Sequence, residues 1–526
     1  MNKNTQQFIR ELSFAKKYTG AVGEEEVVKT SKAASSLAVV YESARNAVEF
    51  KAEHLIRQGA ISRILRRRLL LNQPSRKLAS LLIRELIWAR YIKQSCVSET
   101  KIEEVIGIIE KYRHAISQTP RAILNQKKKD NDLVEWLIGL ASCEIEEKLA
   151  FNPIPQILIN YVFASLSERI DFEEEDPQTK NAQIYIATER GFAKNSEVFI
   201  SFRLLKTLLP QWFQAEIKLD DSLYNQLVKT RLLIITQLNY PLKDELRRTV
   251  TKMSAPFNLM REMLDEYPDD FGDIVSDKES LEKTAGLVLE NRYSVTRERL
   301  SRASSRSIIY IFLTKMLLAL LLELPFDLFW GRTNYLALGI NTIFPPFLMF
   351  LLNMNVKLPD SENSLRIINK IKEYFYEENT EKIIFISGKS IQSRGESVFF
   401  ALYLVTFVLI FGSIVWVLRL FNFNFVSIVI FLFFLTVVSF FAYRVRGIAK
   451  DYLLPEEGKE GISSSLLDFI FLPIIKVGQW LSIQIAYINI LSFILDFIIE
   501  APLKTFLEVF EDWIHFVRVK KEEIVT

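Results

Sequence analysis

The sequence predicts an all-α, polytopic membrane protein with a large N-terminal cytoplasmic helical bundle or array, and three observations predict it. Four long apolar runs follow one another at 308–329, 335–352, 398–418 and 425–443. Each is near the roughly 20 residues a helix needs to cross about 30 Å of hydrocarbon, and the last two contain no charged residue. The stretch before the first run places its apolar residues three and four apart, with no competing alternation. Lys and Arg, finally, are dense in every second loop.

That alternation sets the expected topology. Arg292, Arg297, Arg299, Arg302 and Arg306 precede the first run, and seven basic residues from Lys357 to Arg394 separate the second from the third. Arg444, Arg446 and Lys450 follow the fourth, whereas Arg332 and Arg419 stand alone in the other two connections. Under the positive-inside rule this is N-in, four spans and C-in, in a cytoplasmic membrane. The expected organisation is a helical domain over 1–306, spans one and two over 307–353, and a cytoplasmic loop with a short amphipathic helix over 354–397. Spans three and four occupy 398–443, and membrane-interfacial amphipathic helices occupy 444–526. The polar N-terminus runs into no apolar stretch, so no cleaved signal is expected.

Taken in order, 31–71 reads as a helix through Leu37, Tyr41, Ala44, Val48 and Leu55, closed by Pro74, and 77–96 as the next through Leu78, Leu82 and Leu86. Thr100 with Glu103 and Asp132 with Glu135 read as capping boxes ahead of two further apolar series. Pro153 and Pro155 open a helix to about Ile170, followed by an acidic turn from Glu173 to Asp176. Helices are expected over 178–192, 196–209 and 222–239, with proline breakers between and after them. The helix 278–307 continues without proline into the first span. At about 100° per residue, Arg292, Arg299, Arg302 and Arg306 share roughly a quarter of its circumference, a stripe suited to anionic headgroups.

Between spans two and three, 361–379 reads as an amphipathic helix and 382–387 as a brief apolar piece of either type, in a loop large enough to dock on the N-terminal region. Pro345 and Pro346 are expected to kink span two. After span four, polar residues from Asn489 to Arg518 recur every three or four positions along an apolar segment, which fits an in-plane interfacial helix. A fifth span from about Gly478, or a re-entrant hairpin over 466–499, are the alternatives.

Chemistry is sparse. The first run alone carries ionisable residues, Lys315, Glu323 and Asp327, and such residues in a span mark a functional site or hold helices together. Glu323 and Asp327 share a face; Lys315 needs a partner from another helix, with Asn341 in span two the first candidate. The basic run Arg63, Arg66, Arg67 and Arg68 is the densest in the N-terminal region and suits an acidic partner, anionic lipid or a solvated face. With 66 basic and 63 acidic residues the charge is balanced, which disfavours nucleic acid. Gly388-Lys389-Ser390 lacks the rest of a phosphate loop, and His54, His114 and His515 are scattered, the first two expected on helix surfaces. Cys96 and Cys143 read as free thiols, with a disulfide as the lesser alternative. No cofactor or metal is expected, and enzyme signatures are absent. The expected function is a membrane-anchored scaffold or adaptor contacting the bilayer and a protein partner or second copy. A channel or transporter using Glu323 and Lys315 is the alternative.

Overall fold

The computed structural model describes residues 1–19, 39, 42, 53–69, 73–92, 97–119, 130–172, 176–214, 221–319, 321, 325, 335–354, 360–377, 384–386, 395–450, 452–454, 471–481, 484 and single positions between 502 and 520. These residues are overwhelmingly helical. They fall into two compact units, one of Gln6–Ser167, Glu174–Arg247 and Ile490–Thr526, the other of Met1–Thr5, Glu168–Glu173 and Arg248–Asn489.

After α1 (Lys3–Thr19), the first unit contains α2 (Glu53–Leu69), α3 (Ser75–Trp88), α4 (Glu99–Ser117), α5 (Asp130–Leu149) and α6 (Ile154–Ser167). Beyond β1 (Ile170–Phe172), which belongs to the other unit, come α7 (Pro177–Gly191), α8 (Glu197–Leu208), α9 (Gln211–Gln214) and α10 (Asp221–Leu238). Helix α5 is the centre. It buries Leu137, Ile138, Leu140, Ala141, Cys143 and Ile145 on almost every side, as a helix apolar all round must. Helices α2, α4 and α8 surround it. Gly139 admits α8, because a Cβ there would lie 2.7 Å from Val198 Cγ1.

Local chemistry sets the ends. Helix α3 stops at Trp88, well short of the expected 96. Arg90 adopts φ 57°, Tyr91 N–H reaches Leu86 O at 2.9 Å and Arg90 N–H reaches Ile87 O at 3.0 Å, a left-handed C-cap built on an arginine. Helix α4 is capped by Ser98, whose hydroxyl accepts from Lys101 N–H at 3.4 Å, so the expected Thr100 box is displaced by two residues. Glu103, its supposed second half, pairs with Arg76 at 2.5 Å. Asp132 stands inside α5 rather than at its cap. Asp176 caps α7 and Ser196 caps α8. The expected helices at 178–192, 196–209 and 222–239 are present within two residues at each end. Most of the expected 31–71 helix lies outside the described residues.

The second unit adds α11 (Lys243–Met253, which begins before its boundary), α12 (Ala255–Glu266), α13 (Phe271–Ser276), α14 (Lys278–Leu318), α15 (Tyr335–Met354) and α16 (Ser361–Tyr376). Strand β2 (Ile384–Ile386), α17 (Gly395–Leu420), α18 (Phe425–Lys450) and α19 (Phe471–Leu481) complete it. Contrary to the expectation of helices alone before the spans, Ile170–Phe172 is a strand, paired in parallel with Ile384–Ile386. Three residues are too few for an alternating pattern to stand out, and pairing with a distant segment satisfies their backbone. Of the 382–387 piece, Ile384–Ile386 is this strand and the rest lies outside the described residues.

Helix α14 is one uninterrupted rod of 41 residues, opened by Asp277 accepting from Ser280 N–H. Asn363 fastens α16 to it: its amide donates to Tyr293 Oη at 3.0 Å and to Tyr452 O at 2.7 Å, and its Oδ1 accepts from Leu454 N–H at 3.0 Å. Further along, α14, α15 and α18 pack on one another around Ile311, Met349, Phe431, Phe434, Leu435 and Val438. Helix α15 continues through Pro345 and Pro346 as one helix. A turn joins α17 to α18, with Asn422 at φ 54° and Asn424 Oδ1 accepting from Ser427 N–H at 2.7 Å.

Among the described residues, two helices are long and apolar enough to cross a membrane, Phe400–Leu420 and Phe425–Tyr443. Helices α5 and α6 would make a third if their 114° bend were taken as one broken span, but α5 lies in the core of the first unit and α6 buries Leu158, Ile159, Val162 and Leu166. The apolar stretch Leu336–Leu352 is shorter, and the outer half of the expected first span lies outside the described residues.

Candidate functional site

The intramembrane polar site expected at Lys315, Glu323, Asp327 and Asn341 is half described. Lys315 is fully buried among α14, α15 and α18, with its ammonium 4.9 Å from the ring centroid of Phe434. A cation over an aromatic face is attracted by the ring quadrupole, more strongly where water is excluded. Asn341 is also fully buried, and its amide donates to Ser427 O at 3.3 Å, joining α15 to α18. The hydroxyls of Thr342, Thr406, Ser413 and Thr436 each donate to a carbonyl three or four residues back in their own helix. Glu323 and Asp327 lie outside the described residues. The sequence reading missed Phe434; its signal was an aromatic residue in a later span.

Helix direction can be read from the same contacts. Asn341 meets Ser427, and Phe344 stacks on Phe431 with centroids 4.9 Å apart, so both numberings rise together and α15 runs parallel to α18. Helix α19 reaches this bundle at Gly478, where a Cβ would fall 2.1 Å from Thr436 O.

In the arginine run of α2, expected as a partner or anion patch, Arg63, Arg67 and Arg68 are engaged by carboxylates within the unit, whereas Arg66 is exposed beside Glu135. Arg67 donates to both oxygens of Glu85 at 3.0 and 2.8 Å, and Arg68 donates to Glu85 Oε1 through Nε at 3.2 Å and Nη2 at 2.7 Å. Glu85 is 1% exposed and Arg68 6%. Arg63 pairs with Glu42 at 3.5 Å and Arg66 with Glu135. The acidic partners come from elsewhere than the expected turn, whose Asp176 is spent on capping α7. Lone carboxylates scattered over other helices gave no pattern to find.

The stripe on α14 divides. Arg292 pairs with Glu262 at 3.0 Å and lies 5.3 Å from the Tyr452 ring centroid, so it belongs to the interior contacts of the unit. Arg299, Arg302 and Arg306 are exposed, Arg302 beside Glu298 at 3.6 Å.

Two buried polar clusters in the first unit were not anticipated. Lys111 donates to Glu144 at 2.6 Å and to Trp212 O at 3.3 Å; Tyr112 donates to Glu144 at 2.9 Å and accepts from Trp212 Nε1 at 3.1 Å. Burial lowers the lysine pKa, opposed by Glu144, and burial also pushes the Tyr112 phenol well up. In the second cluster His54 Nε2 lies 2.7 Å from Asn195 Oδ1, whose amide donates to Glu189 at 2.6 Å; Tyr185 donates to the same carboxylate at 2.8 Å. His54 is therefore an inter-helix residue and not a surface one, with its pKa lowered chiefly by burial. His114 is exposed. Cys143 is a free, buried thiol whose pKa burial raises well above the usual value. Among the described residues no group of three His, Cys, Asp or Glu side chains converges as a metal site. Gly388-Lys389-Ser390 and Cys96 lie outside them.

No family model, curated protein or solved structure matches the chain.

Proposed function

We propose that the chain is an integral membrane protein acting as a membrane-anchored helical scaffold or adaptor. The first unit and the clamp around Asn363 stand on the cytoplasmic side, and the apolar helices hold them at the cell membrane with both termini inside. The observation that carries this reading is α14. One continuous helix of 41 residues, about 60 Å at 1.5 Å per residue, begins in the Asn363 clamp and ends in the apolar bundle. A rigid rod of that kind suits an anchor that fixes a soluble body at a set distance from a bilayer.

Two features support the topology. Helices α15 and α18 are parallel, as second and fourth spans of an alternating path must be. Helix α17 has a mean hydropathy of 2.5 with only 6% of its apolar window buried, a surface suited to lipid. For the partner, the first unit offers a groove lined by Glu11, Phe14, Ala15, Phe151, Pro153 and Ile157, with both phenylalanines exposed.

The channel or transporter reading is favoured only by the fully buried Lys315. Its position over Phe434 suits helix packing equally well.

The test combines extraction and flux. Membranes carrying the protein are washed in alkaline carbonate, and the purified protein is reconstituted for ion and proton flux. A scaffold stays in the pellet, shows no flux, and loses assembly or stability on Lys315→Met. Release into the supernatant would refute the anchor. Flux that Lys315→Met alters while oligomeric size stays constant would replace the scaffold by a transporter.

A further inference from the structure

Beyond Tyr293, helix α14 leaves its clamp, and its two sides diverge. Leu300, Ile311 and Lys315 are buried on one side. At about 100° per residue, Arg299, Arg302, Arg306, Tyr310, Leu313 and Leu317 fall within roughly 80° of one another on the opposing side. All six are exposed, Tyr310 by 68%, Leu313 by 58% and Leu317 by 56%. Three guanidinium groups thus run into a tyrosine and then into bare leucines along a single line of one rigid helix. Among the described residues Glu298 flanks them with opposite charge, and at 3.6 Å between exposed groups that pair holds Arg302 weakly.

We infer that this stripe is a binding site for an anionic phospholipid. The arginines take the phosphate, the amphipathic ring of Tyr310 sits at the level of the glycerol, and one acyl chain lies along Leu313 and Leu317. Arg306 and Leu313 are seven residues apart, about 10 Å along the axis, which matches the step from headgroup to hydrocarbon. Guanidinium groups suit phosphate because their planar donors engage two oxygens at once. The charge-to-apolar order along one face selects a lipid over a soluble phosphate, which would have no use for the leucines. A general topology signal requires only that basic residues lie on the inner side. This site requires them on one face.

The inference rests on the membrane reading, and the experiment separates the two. Full-length protein is reconstituted into vesicles of three parts phosphatidylcholine to one part phosphatidylglycerol, extracted gently, and analysed by native mass spectrometry for retained lipid. Wild type retains phosphatidylglycerol in preference to phosphatidylcholine. Arg302→Gln with Arg306→Gln lowers that preference about 30-fold, near five-fold for each charge removed at the surface. Arg297→Gln, exposed but on the opposite side of the helix from the stripe, leaves it unchanged. A second variant adds Ser301→Arg and Ser305→Arg to the glutamine pair, which preserves the loop charge and hence the topology signal while moving the charge off the stripe; it shows the same loss. Equal preference in wild type and both variants overturns the site. So does recovery of the preference in the moved-charge variant, because loop charge alone then suffices. A cysteine placed at Leu313 that forms disulfide-linked dimers, with lipid preference unaffected by the glutamine pair, assigns the face to a second copy and also overturns it. Protein missing from the alkaline-washed pellet refutes the membrane reading itself, whereas protein in the pellet without lipid preference refutes the lipid site alone.

Discussion

Replacing Glu85 by Ala removes the acceptor of two arginines at once. Arg67 is 26% exposed as a side chain and can turn to water, but Arg68 is 8% exposed and cannot. The substitution therefore takes the Glu85 carboxylate away from a guanidinium that is buried where water is excluded. Breaking a buried pair by deleting one member costs about 3–5 kcal/mol, because the remaining charge has lost its compensation. The control is Arg66→Gln, which breaks an exposed pair, Arg66 at 52% and Glu135 at 45%, and costs at most about 1 kcal/mol. The assay is urea unfolding of the full chain in detergent, followed by tryptophan fluorescence; Trp88, three residues from Glu85, is fully buried and reports on this part of the core. The two units need not unfold together, so the midpoint compared is that of the transition in which the buried tryptophans become exposed. A gap of at least about 2 kcal/mol between the variants is expected. Equal effects of Glu85→Ala and Arg66→Gln would refute the assignment of the run as an internal network and return it to the surface as a partner site.

Three further outcomes follow from the geometry. His54 is held below its usual 6.5 by burial, so between its folded pKa and 6.5 the unfolded chain binds more protons and stability falls as pH drops through that window. His54→Gln should remove up to about 1.4 kcal/mol per pH unit of that slope, read from unfolding midpoints at a series of pH values, and an unchanged slope would exclude His54 as its source. Lys111→Met leaves the Glu144 carboxylate buried beside Tyr112 and should cost about 3–5 kcal/mol, most of it recovered when Glu144→Gln is added; a double variant as unstable as the single one would show that volume, not charge, is at stake. Gly478→Leu cannot be accommodated against Thr436 O and should free α19 from α18, seen as faster tryptic cleavage at the exposed Lys476. An unaltered cleavage rate would discount that contact.

The sequence exposed those features whose cause is local. Apolar spacing located α7, α8 and α10 because each buries one face over three or more turns, and Pro74 or Pro153 marks its boundary through its own backbone. The capping of α4 was misplaced because Ser98 and Thr100 are chemically equivalent and only the path of the chain decides between them. Helix α3 was overextended because nothing in an arginine announces a left-handed φ; that conformation, costly without glycine, is held at Arg90 by the two hydrogen bonds that close the helix. Contacts across many residues were hidden altogether. Asn195 separates His54 from Glu189, and Tyr452 meets Arg292 and Glu262, through pairings that no spacing encodes. The arginine run shows the limit most plainly, since its density along the sequence was evident while its three neutralising carboxylates stood on other helices.

The placement of charge also separates the two kinds of surface in this chain. In the first unit Arg67 and Arg68 share Glu85, Lys111 has Glu144 and Arg57 has Glu146 at 2.8 Å, so guanidinium and ammonium groups that leave water find carboxylates. Along α14 beyond Thr296 the rule changes. Arg299, Arg302 and Arg306 remain in the open, the next exposed residues are Ile309, Tyr310, Phe312 and Leu313, and the same bareness recurs on α17 at Phe400, Leu409 and Trp416. Each Å² of such exposed apolar side chain would cost about 25 cal/mol in water. A surface that is cationic at one level and wholly apolar above it is not suited to any single isotropic solvent. It fits a medium whose own composition changes over about 10 Å from phosphate to hydrocarbon, which is why the bilayer reading accounts for the arginines and the leucines together, whereas a soluble partner would have to reproduce both.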